Sequence, residues 1–194
     1  MTVDGPRRPA PATAGPGALA DRLLADLRVE FPRLRIVLKQ ESGLSRAIDA
    51  ALRVLTLGRQ SSYMTSYVTT LGSTIYVPSD WEGRSPADRY VTLRHEAIHL
   101  RQFRRLTWLG MALLYLLPIF PVGLALGRTL LERRAYAETL RAIAEVRGGH
   151  ALGDPALRAR IVRQFTSGAY GWMWPFPRAV EAWFDRTVAA IRLE

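Results

Sequence analysis

The chain has 194 residues and is 48% hydrophobic, which is enough to bury one core of ordinary size. It has no cysteine, so disulfides and thiolate ligands are excluded and any metal site must use nitrogen and oxygen donors. The formal net charge of +10 comes almost entirely from arginine and favours contact with anionic lipid headgroups or nucleic acid. Because no secretory signal is visible, a cytoplasmic protein is expected, with membrane association as an alternative.

The N-terminal part of the chain predicts a tail followed by helices and a strand. Residues 1–17 are rich in Pro, Ala and Gly and predict a disordered tail. Leucines at helical spacing predict helices over 18–30 and 44–57, and a short β-branched run predicts a strand over 34–38. We expect residues 18–194 to form a single domain.

A β-hairpin is predicted next. Residues 62–70 alternate and are rich in Tyr, Thr and Val, residues 71–72 supply a turn, and residues 74–77 form the second strand. A further helix is predicted to begin at Ser85-Pro86. The sequence therefore predicts an α+β class, with a small, mostly antiparallel sheet of about three strands packed on helices.

That further helix carries the most informative residues of the chain. His95 and His99 lie four positions apart with Glu96 between them, and they are two of only three histidines. Residues at i and i+4 share one face of a helix, so both imidazoles can reach one zinc ion while Glu96 polarises a metal-bound water. The alternative is a core helix with two hydrogen-bonded histidines and a surface glutamate.

A zinc site of this kind needs a third protein ligand, and the candidates lie downstream. A helix predicted over 130–138 offers Glu132 and Glu138, which point to different faces, so only one of them is expected to bind. Each can instead form an ion pair with an arginine about one turn away. His150 follows two glycines and is expected to be exposed to solvent.

Residues 106–127, between the two halves of the site, carry no charge and are long enough to span a membrane. A single crossing, however, would place His99 and Glu132 on opposite sides, and Pro118 and Pro121 divide the run into pieces too short to cross. Three interpretations remain: a buried helical hairpin inserted in the domain, a peripheral or re-entrant membrane contact, and a true span without a shared zinc site. Arginines at both ends suit either anionic lipid or a solvated rim: Arg101, Arg104, Arg105, Arg128, Arg133 and Arg134.

The C-terminal part adds aromatic residues, predicted to cap the core, with a substrate-facing wall or an interfacial belt as alternatives. They are Tyr170, Trp172, Trp174, Phe176, Trp183 and Phe184. Because no recognised nucleic-acid motif accompanies them, nucleic-acid binding is not expected.

His95-Glu96-x-x-His99 followed by Glu132-x-x-Ala135 resembles the gluzincin metallopeptidases, above all the small minigluzincin type. The resemblance covers about residues 60–145 and implies a zincin-like fold. It also implies that His95, His99 and Glu132 bind zinc, and that Glu96 is the general base.

Two further features follow from this resemblance. Strand 74–77 takes the place of the edge strand that holds substrate in extended form in this group. Where larger gluzincins have an aspartate after the glutamate ligand, this chain has Tyr136, so no residue is predicted to orient His95. Tyr136 is also a candidate donor for the oxyanion, although most such tyrosines are packing residues.

The predicted function is a zinc-dependent metallopeptidase that hydrolyses peptide bonds. Zinc lowers the pKa of its bound water, and Glu96 accepts the proton and passes it to the leaving amine. The alternative is a non-catalytic zinc-binding protein whose basic and apolar surface binds a membrane or a protein partner. An open fourth coordination position separates the two, since a structural zinc site is closed.

Overall fold

The computed structural model describes residues 15–55, 65, 67–116, 125–167 and 173–194. The helices are α1 (Pro16–Glu30), α2 (Gly43–Leu55), α3 (Pro86–Leu116), α4 (Leu126–Arg147), α5 (Pro155–Thr166) and α6 (Pro177–Ile191). The strands are β1 (Arg35–Leu38), β2 (Thr69–Leu71) and β3 (Thr74–Val77). The predicted α+β class is confirmed, and helix predominates. Nearly all of the predicted tail lies outside the described residues.

The three strands form one sheet in the order β1-β3-β2. β2 and β3 pair antiparallel, which confirms the predicted hairpin, and Gly72 in its turn has a φ of +62°, a value that suits glycine. The first hairpin strand begins only at Thr69, and much of the predicted 62–70 run lies outside the described residues.

Two predictions about the sheet are wrong. β1 pairs parallel to β3, so the sheet is not mostly antiparallel. The chain between them contains α2 and is long enough for the crossover that a parallel pair requires. Consequently residues 74–77 form the central strand rather than an edge strand, and β1 and β2 are the two edge strands.

α3 begins as predicted, with Pro86 in its first turn and the Ser85 hydroxyl accepting a hydrogen bond from the Asp88 backbone N–H at 3.1 Å. Two hydrophobic clusters flank the α3–α4 pair. α3 contributes Leu93, Ala97 and Leu100 to a cluster with the sheet and α1. α4 packs instead on a cluster with α5 and α6, so the two helices of the candidate site are held from both sides.

The predicted aromatic cap over the core is confirmed for Trp183 and Phe184, which are buried in the C-terminal cluster. Phe176 is exposed, and Tyr170 and Trp172 lie outside the described residues.

The end of α3 departs from regular helix at Thr107, whose φ of 61° and ψ of 175° are rare for a β-branched residue. Beyond it lies the apolar arm, defined as residues 108–116 of α3 with residues 126–130 of α4. A Cβ on Gly127 would lie 2.7 Å from the Leu114 carbonyl oxygen, so the two helix backbones touch in this arm.

The exposure of the arm bears on the interpretations of the uncharged run. Leu109 and Leu113 are exposed, so the buried hairpin is wrong for these side chains. Among the described residues, none of the helices has both the length and the apolar composition that a membrane crossing requires. Residues 117–124, which connect the two helices, lie outside the described part of the chain.

Candidate metal centre

Three side chains from two helices converge between the core clusters: His95 and His99 on α3 and Glu132 on α4. The Nε2 atoms of the two histidines lie 3.2 Å apart. One Glu132 carboxylate oxygen, Oε2, lies 3.7 Å from each of them. The i, i+4 spacing thus places both imidazoles on one helix face, and α4 brings the carboxylate to that face.

The spacing of these three atoms fits a small tetrahedral cation. An ion with bonds of about 2.0–2.2 Å holds its ligand atoms roughly 3.3–3.6 Å apart. The observed separations of 3.2 Å and 3.7 Å lie close to this range. Two imidazole nitrogens and one carboxylate oxygen form a donor set that suits zinc, with one tetrahedral position left over.

The orientation of His95, which the sequence left unassigned, is set by Thr139. The Thr139 hydroxyl donates a hydrogen bond to the Ala135 carbonyl oxygen at 3.1 Å and lies 2.9 Å from His95 Nδ1. An acceptor at this position suits a His95 imidazole that carries its proton on Nδ1. The Nε2 lone pair is left facing the centre.

His99 is fixed in the same way by Gln102. The Gln102 amide nitrogen donates to the Leu131 carbonyl oxygen at 3.0 Å, which sets the orientation of the amide. Its oxygen Oε1 therefore faces His99 Nδ1, 2.9 Å away, and accepts from it. With an acceptor at this position, Nδ1 of His99 carries the ring proton and Nε2 is free to bind a metal.

The two Nε2 atoms and the Glu132 carboxylate thus face one another. Burial, and next the neighbouring His99, lowers the pKa of His95, so its ring is neutral near neutral pH. Glu132 is almost fully buried. Two imidazole nitrogens and a buried carboxylate that converge in this way could hold a metal ion, which is the chemical reason to regard the cluster as a candidate metal site.

Glu96 lies beside the cluster without belonging to it. It is buried, and its Oε2 accepts a 2.6 Å hydrogen bond from the Thr70 hydroxyl on β2. This bond fixes the position of the carboxylate relative to the sheet. Glu96 is therefore buried, and it is not the surface glutamate that the alternative of a simple core helix predicts.

A buried cation completes this polar region. Lys39, the only lysine of the chain, is wholly buried, and its Nζ donates to the Thr69 hydroxyl at 3.2 Å. Burial lowers the pKa of Lys39 to about 8, although the charges of Glu96 and Asp49 act in the opposite direction. The lysine thus contributes positive charge to the same region as Glu96.

The other candidate residues lie elsewhere. Glu138 accepts a 2.6 Å hydrogen bond from Arg94 Nε and also pairs with Arg141, so it neutralises arginines rather than joining the cluster. His150 is exposed in a 3₁₀ segment, as expected.

Tyr136 packs beside the centre. Its ring contacts those of His95 and Phe165, with centroid distances of 4.9 Å and 5.4 Å. Burial, and next the charges of Glu132 and Glu96, raises the pKa of Tyr136, so its phenol stays protonated. This geometry agrees with a packing residue, and its role as an oxyanion donor stays a prediction.

Sequence reasoning missed four supporting residues: Lys39, Thr70, Gln102 and Thr139. Two of them had a local signal, because Gln102 is one turn from His99 and Thr139 lies one turn beyond Ala135 on the helix that carries Glu132. Thr70 and Lys39 reach the region only through the fold of the sheet.

Comparison of the chain with family models, with curated proteins and with solved structures gives no match. What the fold and the site define is an α+β protein with a group of three residues that could hold a metal ion. Any function must therefore be argued from the residues themselves.

Proposed function

We propose that the chain is a zinc-dependent metallopeptidase with a zincin-like, minigluzincin-like domain. The observation that carries this proposal is the position of Glu96, which is buried, is held by Thr70, and is near enough for its charge to act on the His95 ring. A carboxylate that only balanced the charge of the metal would join the ligand set. A separate, oriented carboxylate is what a general base requires.

In this proposal His95, His99 and Glu132 hold the metal, and Thr139 and Gln102 keep the two imidazoles in the protonation form that binds it. A zinc ion held there would acidify a water molecule and polarise a substrate carbonyl. Glu96 accepts the proton of the attacking water and passes it to the leaving amine.

The position of β2 supports a peptide as substrate. Thr70 lies on this outer strand and donates its hydroxyl proton to Glu96, so the strand and the general base are adjacent. An extended peptide can add to a strand of this kind through backbone hydrogen bonds, which would align a scissile bond beside Glu96. β2 thereby takes the substrate-binding role that the sequence assigned to residues 74–77.

The second candidate is a non-catalytic zinc protein whose basic and apolar surface binds a partner. The observation that favours it is the enclosure of the site, since the Glu132 and His99 side chains are only 3% and 8% exposed. Cobalt separates the candidates. In the cobalt-substituted protein, an open position predicts that acetohydroxamate shifts the visible absorption spectrum, and a closed structural site predicts no shift.

The catalytic proposal is tested with the zinc-loaded protein and a mixture of internally quenched peptides of random sequence. Glu96→Gln keeps the shape of the side chain but removes the base, so we expect unchanged zinc content and a loss of turnover of about 100-fold or more. Equal turnover in Glu96→Gln, or a zinc-loaded wild type without turnover, would contradict the peptidase and leave the non-catalytic candidate.

A further inference from the structure

Apolar exposure in this molecule is concentrated in the apolar arm. Nine large apolar side chains are exposed in the described part of the chain, and five of them belong to the arm. They are Trp108, Leu109, Leu113, Leu114 and Leu130. Scattered exposed leucines need no explanation, but a contiguous group is typical of a surface that binds something.

These five side chains lie at one end of the helix pair. Leu109 and Leu113 share a helix face at i, i+4 spacing and are 71% and 48% exposed. The close approach of Gly127 to Leu114 brings α4 against this part of α3, and Leu130 follows one turn later. The patch is therefore built by both helices.

The charge around the arm indicates which partner it fits. From residue 97 to residue 131 the sequence contains four arginines and no Asp or Glu, and two of these arginines, Arg101 and Arg104, pair with Glu30. Exposed Arg105 precedes the arm, and exposed Arg134 lies one turn after Leu130 on α4. A second copy of the chain would bring the same positive charge to the patch, whereas an anionic surface would neutralise it.

The apolar part fits lipid better than an acidic protein. The five exposed side chains of the patch are four leucines and one tryptophan, and none of them carries a charge. A protein partner usually meets a mixed surface with hydrogen bonds, while the acyl region of a bilayer accepts a wholly apolar one. Tryptophan is also typical of the boundary between headgroups and acyl chains.

We infer that the apolar arm docks on an anionic lipid surface, with its leucines in one leaflet and its flanking arginines at the headgroups. The contact is peripheral, since among the described helices none is suited to cross a bilayer. It requires neither zinc nor peptide hydrolysis, so its test is independent of the proposed function.

The test uses the full chain with vesicles of phosphatidylcholine, alone or mixed with phosphatidylglycerol, and measures co-sedimentation. We expect binding to the mixed vesicles and roughly tenfold or greater loss in the Leu109→Glu/Leu113→Glu variant, because two apolar contacts become anionic. Arg134→Gln should weaken binding about fivefold. Leu193→Glu is the matched control, since Leu193 is 89% exposed and lies outside the arm.

Several outcomes would overturn the inference. They are an absence of vesicle binding by the wild type, equal binding to neutral vesicles, and equal losses in the arm variant and Leu193→Glu. A wild-type dimer in sedimentation velocity that the arm variant dissociates would instead assign the patch to a second copy. Circular dichroism and thermal unfolding of each variant must match the wild type for the comparison to count.

Discussion

Within the described residues, the same pair of helices, α3 and α4, carries both a cluster of buried polar side chains and five of the nine exposed large apolar ones. Glu96, His99 and Glu132 are at least 93% enclosed, whereas Leu109, ten residues after His99, is 71% exposed. Hydropathy alone would reverse this order. The difference shows that position relative to the rest of the fold decided burial here, and not the polarity of the segment.

The physical reason is that burial of a polar group is tolerated when each atom has a partner. Thr70 satisfies Glu96, Thr139 satisfies His95 and Gln102 satisfies His99. The two hydrophobic clusters, by contrast, take their buried α3 and α4 residues from 93–100 and 140–143, so they do not include the arm.

The largest expected effect tests this comparison at two leucines of α3, one of them buried and the other exposed. Leu100→Ala removes a buried side chain and leaves a cavity, so we expect a loss of about 2–5 kcal/mol in the free energy of unfolding. Leu109→Ala removes an exposed side chain and should change it by less than about 0.5 kcal/mol. Urea unfolding of both variants measures the two values, and similar losses would refute the contrast.

The next effect concerns the buried lysine. Because burial lowers the pKa of Lys39 to about 8, the unfolded chain retains this proton to higher pH than the folded chain. The free-energy cost of burying the charged ammonium therefore falls as pH rises from about 8 to about 10.4. Over this range the free energy of unfolding should increase by up to about 3 kcal/mol relative to Lys39→Met.

Urea unfolding of the metal-free protein between pH 7 and 10 measures this difference. Arg35→Met is the control, because Arg35 is an exposed cation four residues before Lys39, on β1, and does not lose its proton in this range. A difference between wild type and Lys39→Met that is flat with pH would contradict the burial argument.

The smallest expected effect sharpens the account of the polar region. Thr139→Val removes the acceptor for His95 Nδ1, and Gln102→Leu removes the acceptor for His99 Nδ1, so each should weaken zinc binding about 10–100-fold. Competition with a chelator of known affinity measures this. In Thr187→Val a hydroxyl that bonds to the carbonyl four residues earlier is also lost, but far from the centre, so its zinc affinity should match the wild type.

The sequence predicted the elements whose signals are local. Leucine spacing located α1 and α2, the turn around Gly72 located the hairpin, and Ser85-Pro86 located the start of α3. The pairing of His95 with His99 follows from helix geometry alone. Glu132 was one of two glutamates that the pattern allowed, and the structure brings only Glu132 to the histidines.

The remainder depended on contacts between distant parts of the chain. The parallel pairing of β1 with β3 joins strands more than 30 residues apart, and no local pattern encodes which strand lies in the centre. Thr70 reaches Glu96 across 26 residues for the same reason. The uncharged run resembled a core segment because hydropathy indicates only that a segment favours a non-aqueous environment. It does not indicate whether another element of the fold covers that segment.

The central claim, a metal centre formed by His95, His99 and Glu132, is tested most directly by zinc content after dialysis, measured by elemental analysis. We expect about one zinc per chain in the wild type and in Glu138→Gln, and little in Glu132→Gln. Glu138→Gln is a matched control because Glu138 lies on the same helix but pairs with arginines. A wild type that binds no zinc after reloading, or equal zinc in both variants, would contradict the claim.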